Sequence, residues 1–351
     1  MANFIYSSLT NTHNAAIGKL ETPLRMVIEN ESDVLTKKGG PRDWLFNVLT
    51  SKRFGETIVG QNEFDVFAAT EEGADAPHDG LDETYKKFIE HIQYMKTFTI
   101  TAKMMEDSNY SVGAEERRRA ENFTRAYYKT MHRICEAALV GGTGNIASFA
   151  GASIDVTAPD GLSLFNIAHT YGKKEKGDAT SPAKGTQSNY FKYADLFKDT
   201  LSFEEALGEL ASKIRNMKDE NGDPLGYTAD TIILPGNTPK AERIAKKVCG
   251  SEGALGNGYN DINIQYGNWN IVVLPDWQAE HDDVMIMSSE ANKNLGGNMF
   301  YNRIPLSINP WVDNPNGNMN WTGRCRFGVG FGAYKHILLC TSDTNAEVTQ
   351  L

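Results

Sequence analysis

Three stretches of the sequence predict an α+β chain. Two strand-like runs flank an acidic, turn-rich segment between residues 55 and 101, and an uninterrupted helical pattern follows from Ser111 to Leu139. Helix, strand and helix patterns then alternate between about 200 and 290, and a group of strands ends the chain. The 351 residues leave room for two domains, or for one with large extensions.

Residues 1–54 hold a short helical candidate, ESDVLTKKG, and a dense cluster, PRDWLFNVLTSKRF. They carry no long periodic element and read as an extended arm with small anchors. In GETIVGQNEFDVFAAT, Phe64 and Val66 alternate with polar positions, and in FIEHIQYMKTFTITA the residues Ile92, Tyr94, Phe98 and Ile100 share one parity. Between them EEGADAPHDGLDETY places six acidic residues among Gly73, Pro77 and Gly80. This predicts a long two-stranded hairpin with a charged end. Such a ribbon is marginal in water by itself, and with no matching second sheet evident in the chain, a neighbouring copy is its expected support.

The run from Ser111 to Leu139 starts with a capping serine, carries Glu115 and Glu116 at its positive end and stops at Gly141 and Gly142. Phe123, Tyr127, Thr130, Met131, Ile134 and Ala138 fall on one stripe. A helix of this length spans roughly 40 Å, long for a compact domain, and reads as a strut. Further on, Ser202 and Glu205 form a capping box ahead of Leu207, Leu210, Ala211, Ile214 and Met217. DTIILP is a strand, and Pro239 opens a helix that Gly250 ends. GSEGALGNGYNDIN is a glycine and asparagine loop. INIQYGNWNIVVLP reads as a hairpin turning at Gly267 and Asn268, and DVMIM, RIPLSI and RCRFGVGFGAYKHILLC as later strands.

The net charge is -10, from 35 Lys and Arg against 45 Asp and Glu, so a general nucleic-acid binder is not expected. No apolar run approaches the roughly 18 residues of a membrane helix. The opening MANFIYSSLTNTHNAAIG lacks a basic region followed by an apolar one, so the chain is expected to stay in the cytoplasm where it is made. Cys135, Cys249, Cys325 and Cys340 are scattered, as free thiols in a reducing compartment would be.

GRCRFGVGFGAYKHI, with Gly328, Gly330 and Gly332, raises a nucleotide loop, but no helix pattern follows the glycines and no GxxxxGK[ST] occurs. Glycines in a strand more simply admit another backbone or a bulky side chain. His132 and Cys135 read as a solvated histidine and a packed cysteine, and EHDD at 280–283 as solvated charge, since contiguous ligands do not converge on one ion in regular structure. The acidic hairpin end with His78 lacks the order of a calcium loop. His169, within LFNIAHT, reads as a satisfied structural histidine. No catalytic, metal or cofactor site is expected, and the chain does not read as an enzyme.

An arm, a long hairpin, a strut helix, an α/β unit with a glycine-rich loop and a return strand, in this order, resemble the major capsid protein of tailed bacteriophages, the HK97-type fold. APDGLSLFNIAHTYG is similar to the Asp-Gly-x-x-Leu-Phe-x-x-x-His stretch of Mu-like major head subunits, and TADTIILPGNTPKAERI resembles their axial-domain strand and helix. The resemblance implies an N-terminal arm at 1–54, an extended loop at 55–101 and a peripheral domain at 102–199 with its spine helix at 111–141. It further implies an axial domain at 200–295 and return strands with a tail at 296–351. Its implied function is a structural subunit assembling into hexamers and pentamers of an icosahedral shell that encloses double-stranded DNA without sequence-specific contacts. The acidic balance suits such a container, because a basic lining would hold the genome in salt-dependent contacts.

The implied partners are other copies of itself, a scaffolding protein, a portal and a decoration protein. The implied location is the virion, assembled in the host bacterial cytoplasm. The type member has a long scaffolding segment before its arm and this chain does not, which implies a separate scaffold or an arm that suffices; no residue carries over as a cross-linking site. Candidate inter-subunit contacts are Trp44, Phe64, Glu71, Glu72, Asp75, Asp79, Asp82, Gly253, Gly256, Asn257, Tyr259, Gly328, Gly330 and Gly332. The three last would keep a strand slim where it passes the spine helix or a neighbour. An encapsulin-like compartment with a protein cargo, and less readily a nucleotide-binding enzyme, stand as alternatives.

Overall fold

The structure is a computed structural model that describes residues 5–6, 15–61, 67, 69–71, 73, 75, 83–107, 113–172, 185–251, 263–313 and 315–351. The first part of the chain holds β1 (Ile5–Tyr6), α1 (Ala15–Lys38), α2 (Pro41–Leu45), β2 (Asn47–Thr50), β3 (Gly55–Gln61), β4 (Glu83–Glu90) and β5 (Ile92–Ile100). Then come α3 (Ala102–Asp107), α4 (Ala114–Val140), and the short strands β6 (Ile146–Phe149), β7 (Ala152–Asp155), β8 (His169–Tyr171), β9 (Gly185–Gln187) and β10 (Tyr190–Lys192). Next are α5 (Thr200–Arg215), β11 (Thr231–Pro235), α6 (Pro239–Gly250), β12 (Asn270–Leu274), β13 (Asp283–Met287) and α7 (Ser289–Asn294). The last strands are β14 (Asn298–Val312), β15 (Met319–Phe331), β16 (Ile337–Thr341) and β17 (Thr349–Gln350).

Two larger sheets and two cores organise these elements, alongside the two-stranded pairs β3-β4, β6-β7 and β8-β9. The first sheet runs β1-β14-β15-β5, with β2 also on β14. Its inner face packs on α4: Phe98 lies between Phe123 and Trp321, with ring centroids 5.0 and 5.9 Å away. A Cβ at Gly323 would sit 2.4 Å from the Phe123 ring, so the absent side chain sets the depth at which α4 lies on β15. The predicted stripe of α4 is buried at Phe123, Tyr127, Met131, Ile134 and Ala138, with Thr130 half-buried.

The second sheet runs β12-β11-β13-β16-β10-β17 and is a wall between the two cores. Ile232, Leu234, Val284, Ile286, Leu338 and Cys340 face α5 and α6 in the smaller core. The alternate residues Ile233, Met285, Met287, Ile337 and Leu339 face the larger core, which also holds α1, α4 and the inner face of the first sheet. Both faces are covered, so β11 and β16 bury all five of their positions. This is why TIILP and ILLCT read as continuous apolar runs.

Several expected elements differ. The arm is not extended: α1 is a 24-residue helix lying along α4. Leu24 and Ile28 are fully buried, the Tyr128 hydroxyl lies 2.7 Å from both Ser32 Oγ and Thr36 Oγ1, and Arg125 bonds Glu31 at 2.6 Å. Pro23 and Gly18 interrupt the sequence pattern, and α4 stabilises a helix that propensity leaves unmarked.

The expected hairpin is also divided. β3 pairs antiparallel with β4, Gly55 opposite Glu90, whereas the parity run Ile92, Tyr94, Phe98, Ile100 belongs to β5. β5 pairs with β15 of the same chain, Ile92 opposite Phe327 and Ile100 opposite Met319. The sheet that the sequence did not reveal is thus intramolecular. GRCRFGVGFGAYKHILLC is likewise two strands, β15 in the first sheet and β16 in the second.

The turn at Gly267 joins no hairpin; it leads into β12, which pairs parallel with β11. α5 is capped by Asp199, whose carboxylate accepts the Ser202 backbone N–H at 2.8 Å, and not by Ser202 itself. α4 has Gly113 at its N-cap, and Ser111 lies outside the described residues. If α1 is seated as described, Ile28→Ala lowers stability by roughly 2–5 kcal/mol in urea unfolding. An unchanged midpoint would mean that Ile28 is not in the core.

Candidate assembly surface

The predicted glycine run does its work inside the chain. Along β15, Phe327, Val329 and Phe331 point into the larger core, with Phe327 stacked on Tyr94 at 4.9 Å and on Phe300 at 5.3 Å. The alternate positions Gly328, Gly330 and the following Gly332 present bare backbone on the other face. A Cβ at Gly328 would lie 2.7 Å from the Glu90 carbonyl oxygen and the His91 ring, and one at Gly330 would lie 2.6 Å from Ile89 Cδ1. At Gly332 it would meet the Gly296 carbonyl oxygen at 2.3 Å and Ile58 Cδ1 at 3.2 Å. Within the chain, Gly328 and Gly330 therefore admit the β3–β4 ribbon and the adjoining His91, and Gly332 admits chiefly the Gly296 backbone, rather than the spine helix. β15 is followed by a turn and β16, with no helix, so the nucleotide-loop alternative has neither the space nor the geometry it requires.

One face of the ribbon is closed on this seat. Ile89 is buried, the Tyr85 hydroxyl donates to the Gly332 carbonyl at 2.7 Å, and Lys87 Nζ donates to the Thr157 carbonyl with Asp155 Oδ1 3.7 Å away. Burial, then the negative charge of Glu220, pushes the Tyr85 hydroxyl up to about 12. Burial also holds the Lys87 ammonium below its ordinary value, against the raising effect of Asp155.

The opposite face is open. Phe88 is 49% exposed, Val59 38% and the adjoining Phe54 58%. Phe54 and Phe88 stack at 6.2 Å, and the Arg326 guanidinium lies 5.3 Å from the Phe54 ring. The sequence pattern did not mark this trio; the signal available was the parity of β4, which puts Phe88 opposite the seated Tyr85, Lys87 and Ile89.

Among the predicted contact residues, Trp44 is half exposed on α2, and Glu71 and Asp75 are exposed. Gly328 and Gly330 meet the ribbon and His91, and Gly332 meets the Gly296 backbone and Ile58. Phe64, Glu72, Asp79, Asp82, Gly253, Gly256, Asn257, Tyr259 and His78 lie outside the described residues.

The stretch APDGLSLFNIAHTYG forms a polar tie. His169 is fully buried, with Nδ1 2.7 Å from Asp160 Oδ2, Nε2 3.1 Å from the Leu164 carbonyl oxygen, and its ring stacked 3.8 Å from that of Tyr334. Asn189 donates to the same Leu164 carbonyl at 2.7 Å, and Phe165 N donates to Gly142 O at 2.9 Å. The loop thereby links the end of α4 to the β15–β16 turn. Burial pushes the Asp160 carboxyl up, but the bond and charge of His169 outweigh this and hold it below the usual range.

His132 and Cys135 form no pair. The His132 ring packs where a Gly40 Cβ would lie, 2.6 Å from its carbon, and burial pushes the Cys135 thiol up, the reverse of an activated thiolate. At EHDD, the Ser342 N–H donates to the Asp282 carbonyl and the Asp282 N–H to Ser342 Oγ, each at 3.0 Å, and His281 faces Asp343 at 3.7 Å. Among the described residues no group of three or more His, Cys, Asp or Glu side chains is placed to hold a metal ion, and no helix is long and apolar enough to cross a membrane.

No protein-family model matches the chain, and no curated protein does. Solved structures do. The chain is similar to a phage-related protein from Bordetella bronchiseptica RB50 at 12% identity, covering 90% of this chain and 96% of that one with a TM-score of 0.53. It is also similar to the capsid of cyanophage P-SCSP1u, at 10% identity, 86% and 88% coverage and a TM-score of 0.49. A virus-like particle from Pyrococcus furiosus gives 9% identity, 91% and 98% coverage and a TM-score of 0.48. The chain shares its α+β fold with the Bordetella protein.

If the glycine seat holds the ribbon, Gly330→Val lowers stability by about 1–3 kcal/mol and exposes β3 and β4 to limited proteolysis; a ribbon as resistant as wild type would refute the seat. Asp160→Asn is expected to cost roughly 3 kcal/mol at pH 7. Because the folded value lies below the unfolded one, that contribution is present above about pH 4 and is lost as pH falls, so wild type and variant converge in acid. Urea unfolding at pH 7 and pH 3 checks both the size and the convergence.

Proposed function

We propose that the chain is the major capsid protein of a tailed-bacteriophage head, a structural subunit forming hexamers and pentamers of an icosahedral shell around double-stranded DNA. The observation that carries this reading is a two-stranded ribbon with one face seated on its own chain and the other, Phe54, Val59 and Phe88, left open, on a fold shared with a phage-related protein. A solitary ribbon is marginal, and covering half-exposed aromatic side chains contributes roughly 1 kcal/mol each. Repeated around a closed ring of identical heterologous contacts, such modest terms give a stable assembly.

In this reading residues 1–54 are an arm, helical over 15–38, and 55–101 the extended loop. Residues 102–199 form the peripheral domain around α4, 200–295 the axial domain and 296–351 the return strands and tail. The contacts between copies involve the ribbon's open face, Trp44, and the acidic segment that includes Glu71 and Asp75. A scaffolding protein, a portal and a decoration protein are the expected partners, and the virion, assembled in the host cytoplasm, the expected location. The reading requires no cofactor, metal or catalysis, and the DNA is enclosed without sequence-specific binding.

Concentrated protein examined by light scattering and negative-stain microscopy is expected to give capsomer rings or closed shells on the order of tens of nanometres across. The double variant Phe54→Ser and Phe88→Ser should unfold within about 1 kcal/mol of wild type yet yield at least about tenfold fewer assemblies, since each 1.4 kcal/mol lost per contact is tenfold. Shells from the variant at wild-type yield would remove the open face from the assembly contact.

A further inference from the structure

A single residue, His91, separates β4 from β5 and so joins the ribbon to the first sheet. It is 1% exposed. Its Nδ1 lies 3.1 Å from the Arg53 carbonyl oxygen, which can only accept, so that nitrogen carries the ring hydrogen. Nε2 is then the unprotonated nitrogen, and it is buried with no hydrogen-bond partner.

Every surrounding element bears on this ring. Gly328 of β15 packs against its edge, Arg326 of β15 donates Nε to the His91 carbonyl at 2.9 Å, and the Tyr301 ring of β14 lies 5.9 Å away. The charges that face it are the guanidiniums of Arg303 on β14 and Arg326 on β15, which oppose a proton on the ring, and the carboxylate of Glu56 on β3, which favours one.

We propose that His91 is a pH-sensitive hinge: a proton on Nε2 creates a buried cation with no acceptor beside two guanidiniums and releases the base of the β3–β4 ribbon from β15. The direction is set by burial first. Burial, with Arg303 and Arg326, outweighs the Arg53 carbonyl and Glu56, so that the folded ring holds its proton less tightly than an exposed imidazole does. An opened ribbon exposes the ring, which then binds a proton near its ordinary pKa of about 6.5. The opened form therefore takes up a proton that the closed form refuses. Closure is at full strength above about pH 6.5 and weakens by up to about tenfold for each pH unit below it, until the folded ring also protonates. The inference concerns the single chain and does not rest on its building a shell. Opening would free the seated face of the element whose other face is already exposed.

Amide hydrogen exchange on the full chain between pH 7.5 and 5, corrected for intrinsic exchange rates, tests it. Peptides covering 55–61 and 83–90 are expected to lose up to about tenfold protection per pH unit below about 6.5, while those covering α5 and α6 keep theirs. The variant His91→Gln, which cannot titrate, should abolish that acid response. Ribbon protection independent of pH in the wild type, or the same acid response in His91→Gln, would overturn the proposal. A titration of the His91 ring by NMR in the wild type supplies a reading that needs no variant: its midpoint and that of ribbon opening should coincide, and separate midpoints would also overturn it.

Discussion

The structure depends on the close approach of one backbone to another along β15. Where β15 passes α4 it offers Gly323 to the Phe123 ring, and where it passes the ribbon it offers Gly328, Gly330 and Gly332 to Glu90, His91, Ile89 and Ile58. At each point a single added carbon would fall inside van der Waals contact, and a packed interior has no room to yield. The same chain run then turns into β16, the fourth strand of the wall between the two cores. One stretch of about twenty residues thus fixes the strut helix, the ribbon and the second sheet in a common frame.

The rest of the architecture follows from that frame. With β13 and β16 buried on both faces, the second sheet can hold α5 and α6 on one side and the larger core on the other. The loop carrying Asp160 and His169 closes the gap between the end of α4 and the β15–β16 turn with paired polar groups. Its aromatic lid, Tyr334, also hydrogen-bonds through its hydroxyl to Gln187 and to the Thr170 carbonyl. A structural role accounts for every polar contact of His169, so its burial calls for no chemistry.

Legibility in the sequence tracked how local the cause of each element is. α6 and β13 stood out because Pro239, Gly250 and an unbroken apolar run are local signals. α4 was legible from its own stripe, though its capping residue was not, because the Gly113 cap uses no side chain. α1 was hidden because its apolar positions make sense only against α4 and because Pro23 argues against a helix. The ribbon's support was hidden for a related reason: β5 follows β4 after the single residue His91 but hydrogen-bonds to β15, some 230 residues away, and no periodicity announces a partner at that distance. The glycines of 328–332 read as mechanical from the sequence, while the surface they admit within the chain emerged only once the ribbon was placed. The open trio Phe54, Val59 and Phe88 was missed because two of its members lie outside any regular alternation in the sequence.

In the single chain the ribbon is seated by glycine on one face and open on the other. The most direct test of what covers its open face is a near-atomic cryo-microscopy reconstruction of whatever particle the chain forms. A closed shell in which another copy covers Phe54, Val59 and Phe88, while Ile89 stays on Gly330 of its own chain, is the predicted result. Particles that leave this trio open, or in which Ile89 occupies the glycine face of a different copy, would contradict it.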